Sequence, residues 1–299
     1  MSTDRAGLLS GLAGYAFWGV APIYFMWVQF ASPTEVLAHR IVWAAALLLP
    51  GLFVLGQQRL LRNLKTTDAA WLALSALLLS FNWLVFVWSL FNGRMLEASL
   101  GYYINPLMTV VLGVVFLGER PRRGQWFAVG IAACAIAHEI LARGVVPYAG
   151  LSLAVSFALY GLVRRKVGLP SAFGLAAETV YMLPFALAYL VWLSASGDGA
   201  LARGDGAELA LLALGGPVTI FPLLCFAYAA LRVPFTVLGF LQYLAPSLTF
   251  LLAIYVYGEP IDATRLATFV LIWAAVVWFS LESLFVSWKK TEKSHAASG

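Results

Sequence analysis

The chain alternates long apolar runs with short clusters of charged residues, Gly and Pro. Breaking it at those clusters leaves ten runs: 7–30, 34–56, 69–92, 96–117, 124–142, 147–165, 171–194, 207–231, 234–257 and 264–287. A helix needs about 20 mainly apolar residues to cross a bilayer, and shorter stretches cross when tilted or shielded by protein. Helices also satisfy every backbone N–H and C=O internally where no water is present. The pattern predicts an all-α integral membrane protein of ten transmembrane helices. The fifth and sixth runs are the shortest, and Pro217 and Pro222 interrupt the eighth.

The pattern occurs twice. Tyr103, Pro106, Thr109, Leu112, Gly118 and Glu119 reappear 140 residues later as Tyr243, Pro246, Thr249, Leu252, Gly258 and Glu259. Upstream, Phe81, Leu84 and Phe86 match Phe221, Leu224 and Phe226 in the same register. Five crossings separate Glu119 from Glu259, an odd number, so the two Gly-Glu ends lie on opposite faces of the membrane. The expected organisation is two inverted five-helix repeats, residues 1–142 and 143–288, followed by a polar, disordered cytoplasmic tail over 289–299. Inverted repeats are the common build of secondary transporters. Duplication kept only for packing remains the structural alternative.

Charge supplies a direction. With the N-terminus in the cytoplasm, inner loops and termini carry 14 Lys and Arg and outer ones 5, and the opposite orientation reverses that bias. The positive-inside rule places both termini in the cytoplasm. The outer segment 195–206 is rich in Gly and carries Asp198 and Asp205.

Composition removes other classes. At 62% hydrophobic and 11% charged residues, with mean hydropathy +0.87, the chain cannot cover itself with a soluble surface. The pI of 9.3 comes from basic residues scattered through short loops, not from a nucleic-acid patch. Cys134 and Cys225 lie apart inside apolar runs, in no metal spacing. No Gly-x-x-x-x-Gly-Lys-Ser/Thr run is present, so nothing points to ATP or to another cofactor. After Arg5 the apolar stretch reaches Trp27, too long for a signal peptide core, and reads as a retained helix.

Ionisable and amide groups inside the apolar runs are the candidate site, because a buried charge in lipid must face protein or water. On the second run Glu35 and His39 share a face while Arg40 points about 100° away. Arg40 is suited to a carboxylate or phosphate and His39 to proton exchange, unless Arg40 snorkels to the outer interface. Glu97, Gly101 and Asn105 form one stripe of the fourth run, either a cavity wall or a packing face. Pro106 frees the carbonyl of Tyr102 there, and Pro106 and Pro246 are candidate hinges. Glu178 sits about seven residues into the seventh run with no basic residue within a turn, a candidate proton or cation site beside His39. Asn82 and Trp83, with Gln242, Tyr243 and Tyr103, pair amides with aromatic rings, and Tyr15 and Trp18 can add to that surface. Glu119 and Glu259 are expected to cap backbone or to pair with Arg120 or Arg265, and His138 and Glu139 to lie at the interface.

Seven segments, Gly14–Phe25, Glu35–Trp43, Phe81–Trp88, Met95–Leu107, Phe116–Arg120, Phe157–Lys166 and Leu238–Leu248, resemble the RarD branch of the EamA-containing drug/metabolite transporter superfamily. The stretch Leu-Glu-Ala-Ser-Leu-Gly-Tyr-Tyr-Ile-Asn-Pro is its most specific part. The resemblance implies a multi-pass bacterial inner-membrane protein of ten helices in two inverted repeats around a central cavity, with the fifth and tenth helices peripheral. Its members carry chloramphenicol-sensitivity or permease labels. The expected function is secondary transport of a small amphipathic or amino-acid-like metabolite by alternating access, with protons as a candidate coupling ion. Amphenicol-like drug efflux is the alternative, and a channel or an intramembrane enzyme ranks behind both.

Overall fold

A computed structural model of the protein describes residues 5–54, 66–118, 120–167, 171–230, 232–233 and 241–296. Among these residues the chain forms twelve helices and no strand. They are α1 (Arg5–Trp27), α2 (Pro33–Val54), α3 (Thr66–Phe91), α4 (Met95–Leu117), α5 (Arg123–Arg143) and α6 (Tyr148–Val167). There follow α7 (Ser171–Ala195), α8 (Gly199–Arg203), α9 (Gly206–Ala213), α10 (Gly215–Ala230), α11 (Leu244–Tyr255) and α12 (Ala263–Ala296). Glu119 and the 234–240 start of the ninth predicted span lie outside the described residues.

Seven stretches among the described residues are long and apolar enough to cross a membrane: α1, α3, α4, α5, α7, the α9–α10 pair and α12. The other three predicted spans are α2, which carries Glu35, His39 and Arg40, and the shorter apolar helices α6 and α11. Two boundaries differ from the sequence pattern. The eighth run divides at Leu214 into α9 and α10, and Gln242 and Tyr243 form a turn before α11. At the polar end of the chain α12 continues as helix to Ala296. Large apolar side chains such as Leu141, Phe185 and Val191 are 85%, 68% and 68% exposed, which water disfavours and lipid does not.

The strongest helix contacts, though not all of them, pair off when the first five predicted spans are exchanged for the last five. α1 packs on α10 and α11, as α6 packs on α3 and α4. α2 packs on α10, as α7 packs on α3. The pairs α2 with α7, α4 with α11 and α5 with α12 map onto themselves. The matched glycines share one backbone conformation, since Gly118 and Gly258 both take left-handed backbone at φ 64° and 63°. Close approach depends on glycine in both halves. A Cβ on Gly150 would lie 2.6 Å from the Glu97 carbonyl of α4, and one on Gly19 would lie 2.6 Å from Leu248 Cβ of α11. α5 and α12 form an outer pair, tied inward through α4 and through Phe250, whose ring meets Phe269 at 4.6 Å.

Candidate functional site

Arg40 stands where α2 meets α10. It is 6% exposed, so it does not snorkel to the interface. Its Nε donates to Thr219 Oγ1 of α10 at 3.1 Å, and that hydroxyl donates onward to the Gly215 carbonyl. The guanidinium carbon lies 4.9 Å from the Phe25 ring centre and 4.5 Å from that of Trp83. Gly215 makes the approach possible, because a Cβ there would lie 3.0 Å from both Arg40 Cγ and Tyr24 Oη. Nη1 has no partner, and no carboxylate forms an ion pair with Arg40 among the described residues.

Next to it the polar groups are spent on one another. Asn82 donates to the Leu153 carbonyl at 3.0 Å and to Ser156 Oγ at 2.9 Å, while its Oδ1 accepts from the Tyr102 hydroxyl at 3.2 Å. Rings follow in sequence, with Phe25 5.9 Å from Phe86 and Phe86 5.7 Å from Tyr102. Glu178 finds its partners on other helices: Arg164 of α6 at 3.5 Å, the Ser75 hydroxyl of α3, and the Tyr160 hydroxyl at 3.4 Å. A space of about 10 Å³ separates Glu178 from Trp83 between α2, α3 and α7, room for one water at most.

The remaining predicted residues fall into other places. His39, with both ring nitrogens unpartnered, lines a lateral groove of about 640 Å³ with Trp43, Leu187, Val191, Leu201 and Leu209. The stripe on α4 faces α6 and forms packing, not an open wall. Glu97 accepts from Ala149 N–H at 2.7 Å and Gly150 N–H at 3.3 Å, Gly101 meets the Gly150 backbone, and Asn105 follows on the same face, its Oδ1 unpartnered. Tyr103 stacks on Tyr243 at 6.2 Å and shares a hydrogen bond with Ser247, while the Pro246 carbonyl accepts from Ser99 at 2.9 Å, so both prolines lie along one α4–α11 seam. α4 runs unbroken through Pro106, whereas Pro246 occupies the first turn of α11, where its missing N–H costs no helical bond. Tyr15 and Trp18 pack with Phe226 in a separate cluster, and Gln242 is half-buried in the turn before α11.

One end of the bundle, the predicted outer one, is laced across the halves by carboxylates. Glu35 accepts from Ala200 N–H at 2.6 Å, Glu97 from the start of α6, and Glu259 from Leu96 N–H at 2.9 Å at the start of α4. Each places negative charge on N–H groups that a helix start leaves unpaired. Glu139 is buried, not interfacial: it pairs with Arg143 at 3.6 Å and Arg265 at 3.7 Å and accepts from Thr268 at 2.7 Å. Arg265 also reaches Glu259 at 3.6 Å, and Arg143 reaches Asp262 at 2.6 Å. At the opposite end the ion pair between α5 and α12 is Arg122 with Glu282 at 3.0 Å.

Apolar helices turned outward around this polar interior define a multi-pass membrane protein. The EamA-like transporter family matches residues 5–138. The chain belongs to that family, among its RarD relatives, and the family is one of transporters, not enzymes. An uncharacterized transporter of Vibrio cholerae is 44% identical over 94% of this chain and 93% of its own length. Protein RarD of Escherichia coli is 41% identical over 97% of this chain and 98% of its own. A solved structure described only as a protein, 20% identical, covers 95% of this chain and 99% of its own at a TM-score of 0.58, and so shares the fold.

Proposed function

We infer that the chain moves a small amphipathic or amino-acid-like metabolite across the bacterial cytoplasmic membrane by alternating access. The single observation that carries this is Arg40, a buried cation with no counter-ion among the described residues, held between a helix of the first predicted repeat and Thr219 of the second. In this reading the protein has ten crossings in two inverted five-helix repeats, 1–142 and 143–288, with both termini cytoplasmic. The pairing of the strongest helix contacts supports the repeat, and the odd number of predicted crossings between its matched positions supports the inversion. The outer end is shut by the Glu35, Glu97 and Glu259 caps, and rocking along the α4–α11 seam at Pro106 and Pro246 opens it.

Proton coupling through Glu178 follows from its partners. Protonating the carboxylate removes the charge that holds Arg164 and frees α6 from α7; His39 is the second candidate. The lateral groove at His39 favours one other cargo, a hydrophobic amphenicol-like drug arriving from the bilayer. Counterflow in proteoliposomes tests the reading: solute-dependent exchange at carrier rates supports it, and conductance far above carrier turnover overturns it. In the same vesicles, exchange of chloramphenicol but of no polar metabolite selects the drug reading.

A further inference from the structure

Arg40 also says what the cargo must carry. We propose that it receives the single carboxylate of a net-monoanionic, amphipathic cargo whose apolar body lies against Trp83 and Phe25. This rests on the transport reading and narrows it.

A guanidinium stays charged wherever it is placed, and burying it without a counter-charge is costly. Arg40 offsets part of that cost through its faces, with Phe25 and Trp83 at 4.9 and 4.5 Å. Aromatic faces do not use the in-plane N–H fork. Thr219 takes Nε and nothing takes Nη1, so a donor remains pointed into the interior. A planar oxyanion is the group that matches it.

Among the described residues, the acids of the spans around it are committed elsewhere. Glu35 is spent on Ala200 N–H, Glu97 on the start of α6, and Glu178 on Arg164, Ser75 and Tyr160. The Glu178 and Arg164 charges cancel, leaving Arg40 as one uncompensated positive charge. One charge matches a monocarboxylate better than a phosphate dianion, which calls for a second cation. An ammonium end finds no free carboxylate here. Asn82 Oδ1 is occupied by Tyr102, and the unpartnered Asn105 Oδ1 is an uncharged amide oxygen that cannot neutralise an ammonium. The space beside Trp83 holds no more than one water, so the cargo enters only when the halves part, and Trp83 senses its arrival.

The test uses the purified full-length protein in nanodiscs, read by tryptophan quenching and melting temperature. The probes are phenylacetate, its neutral isostere phenylacetamide, phenylalanine and inorganic phosphate. Phenylacetate is expected to bind at least tenfold tighter than each of the others. Arg40→Gln removes that preference, Arg40→Lys keeps a weaker one, and Trp83→Leu weakens phenylacetate binding. If Arg40→Gln does not fold, the Arg40→Lys and Trp83→Leu results decide. The proposal is overturned if phenylalanine, phenylacetamide or phosphate binds as tightly as phenylacetate, or if these variants bind phenylacetate like the wild type. A protein that binds no carboxylate yet exchanges another solute in vesicles overturns it while leaving the transport reading intact. Carboxylate binding with no exchange of any solute supports it and sinks the transport reading.

Discussion

Glu259 and Leu96, 163 residues apart, meet at the closed end of the bundle, where the Glu259 carboxylate accepts the Leu96 backbone N–H at 2.9 Å. That N–H belongs to the first turn of α4 and has no intrahelical acceptor, so a residue of one half completes a helix of the other. Glu97 does the same in the opposite sense, completing α6 from α4. Removing either cap leaves a buried donor unpaired. Glu259→Ala and Glu97→Ala should each lower stability by about 1–2 kcal/mol, more for Glu97, which serves two N–H groups. Thermal unfolding in detergent checks this, and an unchanged midpoint in both would show that the caps do not hold the end closed.

The loop between α11 and α12 contains two acids that titrate with opposite sign. Burial pushes the Glu259 carboxyl above its ordinary value, against the opposing Leu96 N–H and Arg265. The folded protein therefore keeps this proton to higher pH than the unfolded chain, and the stability it contributes is lost as pH rises through the folded value. Asp262 is held below its ordinary value, first by the Arg265 backbone N–H and also by the Arg143 and Arg265 charges. Its contribution is present above the ordinary carboxylate range of about 4 and lost as pH falls. Glu259→Gln should flatten the melting profile on the side above that range, and Asp262→Asn on the side below it. Parallel profiles for the variants and the wild type would refute the assignment.

Gly150 sits where α6 crosses α4. A Cβ there would lie 2.6 Å from the Glu97 carbonyl, a backbone atom that cannot rotate away. Gly150→Ala must part the two helices and stretch the Glu97 cap together, at a cost of about 1–3 kcal/mol. Gly130 has open space around it, so Gly130→Ala should be neutral. Comparing the two midpoints isolates close approach from the loss of a glycine.

Glu178 and Arg164 form a buried pair, and removing one partner strands the other. Glu178→Gln and Arg164→Gln should each destabilise by about 3–5 kcal/mol, and the double variant by less than the sum. If Glu178 is also the coupling site, Glu178→Gln abolishes pH-driven flux while His39→Gln leaves it. The reverse outcome assigns coupling to His39, and loss in neither rejects both.

The parts of the fold that were legible are those written into local pattern. The all-helical build, seven of its membrane-length stretches and the left-handed Gly118 and Gly258 follow from periodicity and from backbone that glycine tolerates best. Arg40 stood out because a cation in an apolar helix conflicts with its surroundings. The partners were hidden wherever they came from distant chain. Arg164 reads as one of three basic residues at a loop, yet it reaches Glu178. Glu139 reads as interfacial because Arg265, its partner, lies on α12. The Glu97 stripe was ambiguous between wall and seam, and backbone N–H groups of α6, which carry no sequence signature, decided its contacts.

Inversion of the repeats makes the last prediction. Arg120 and Pro260 occupy equivalent positions, two residues beyond Gly118 and Gly258, and both are exposed. If an odd number of crossings separates them, they lie on opposite faces of the membrane although the glycines two residues before them share a left-handed backbone. In a background with Cys134 and Cys225 replaced by Ser, Pro260→Cys should react with a membrane-impermeant maleimide in intact cells, and Arg120→Cys only after the cells are opened. Ser196→Cys, in the exposed turn after α7, should behave like Pro260→Cys. Labelling of both equivalent positions from one side would mean parallel repeats, whose closed ends cannot alternate between the two faces, and the rocking mechanism would then fail with the inversion.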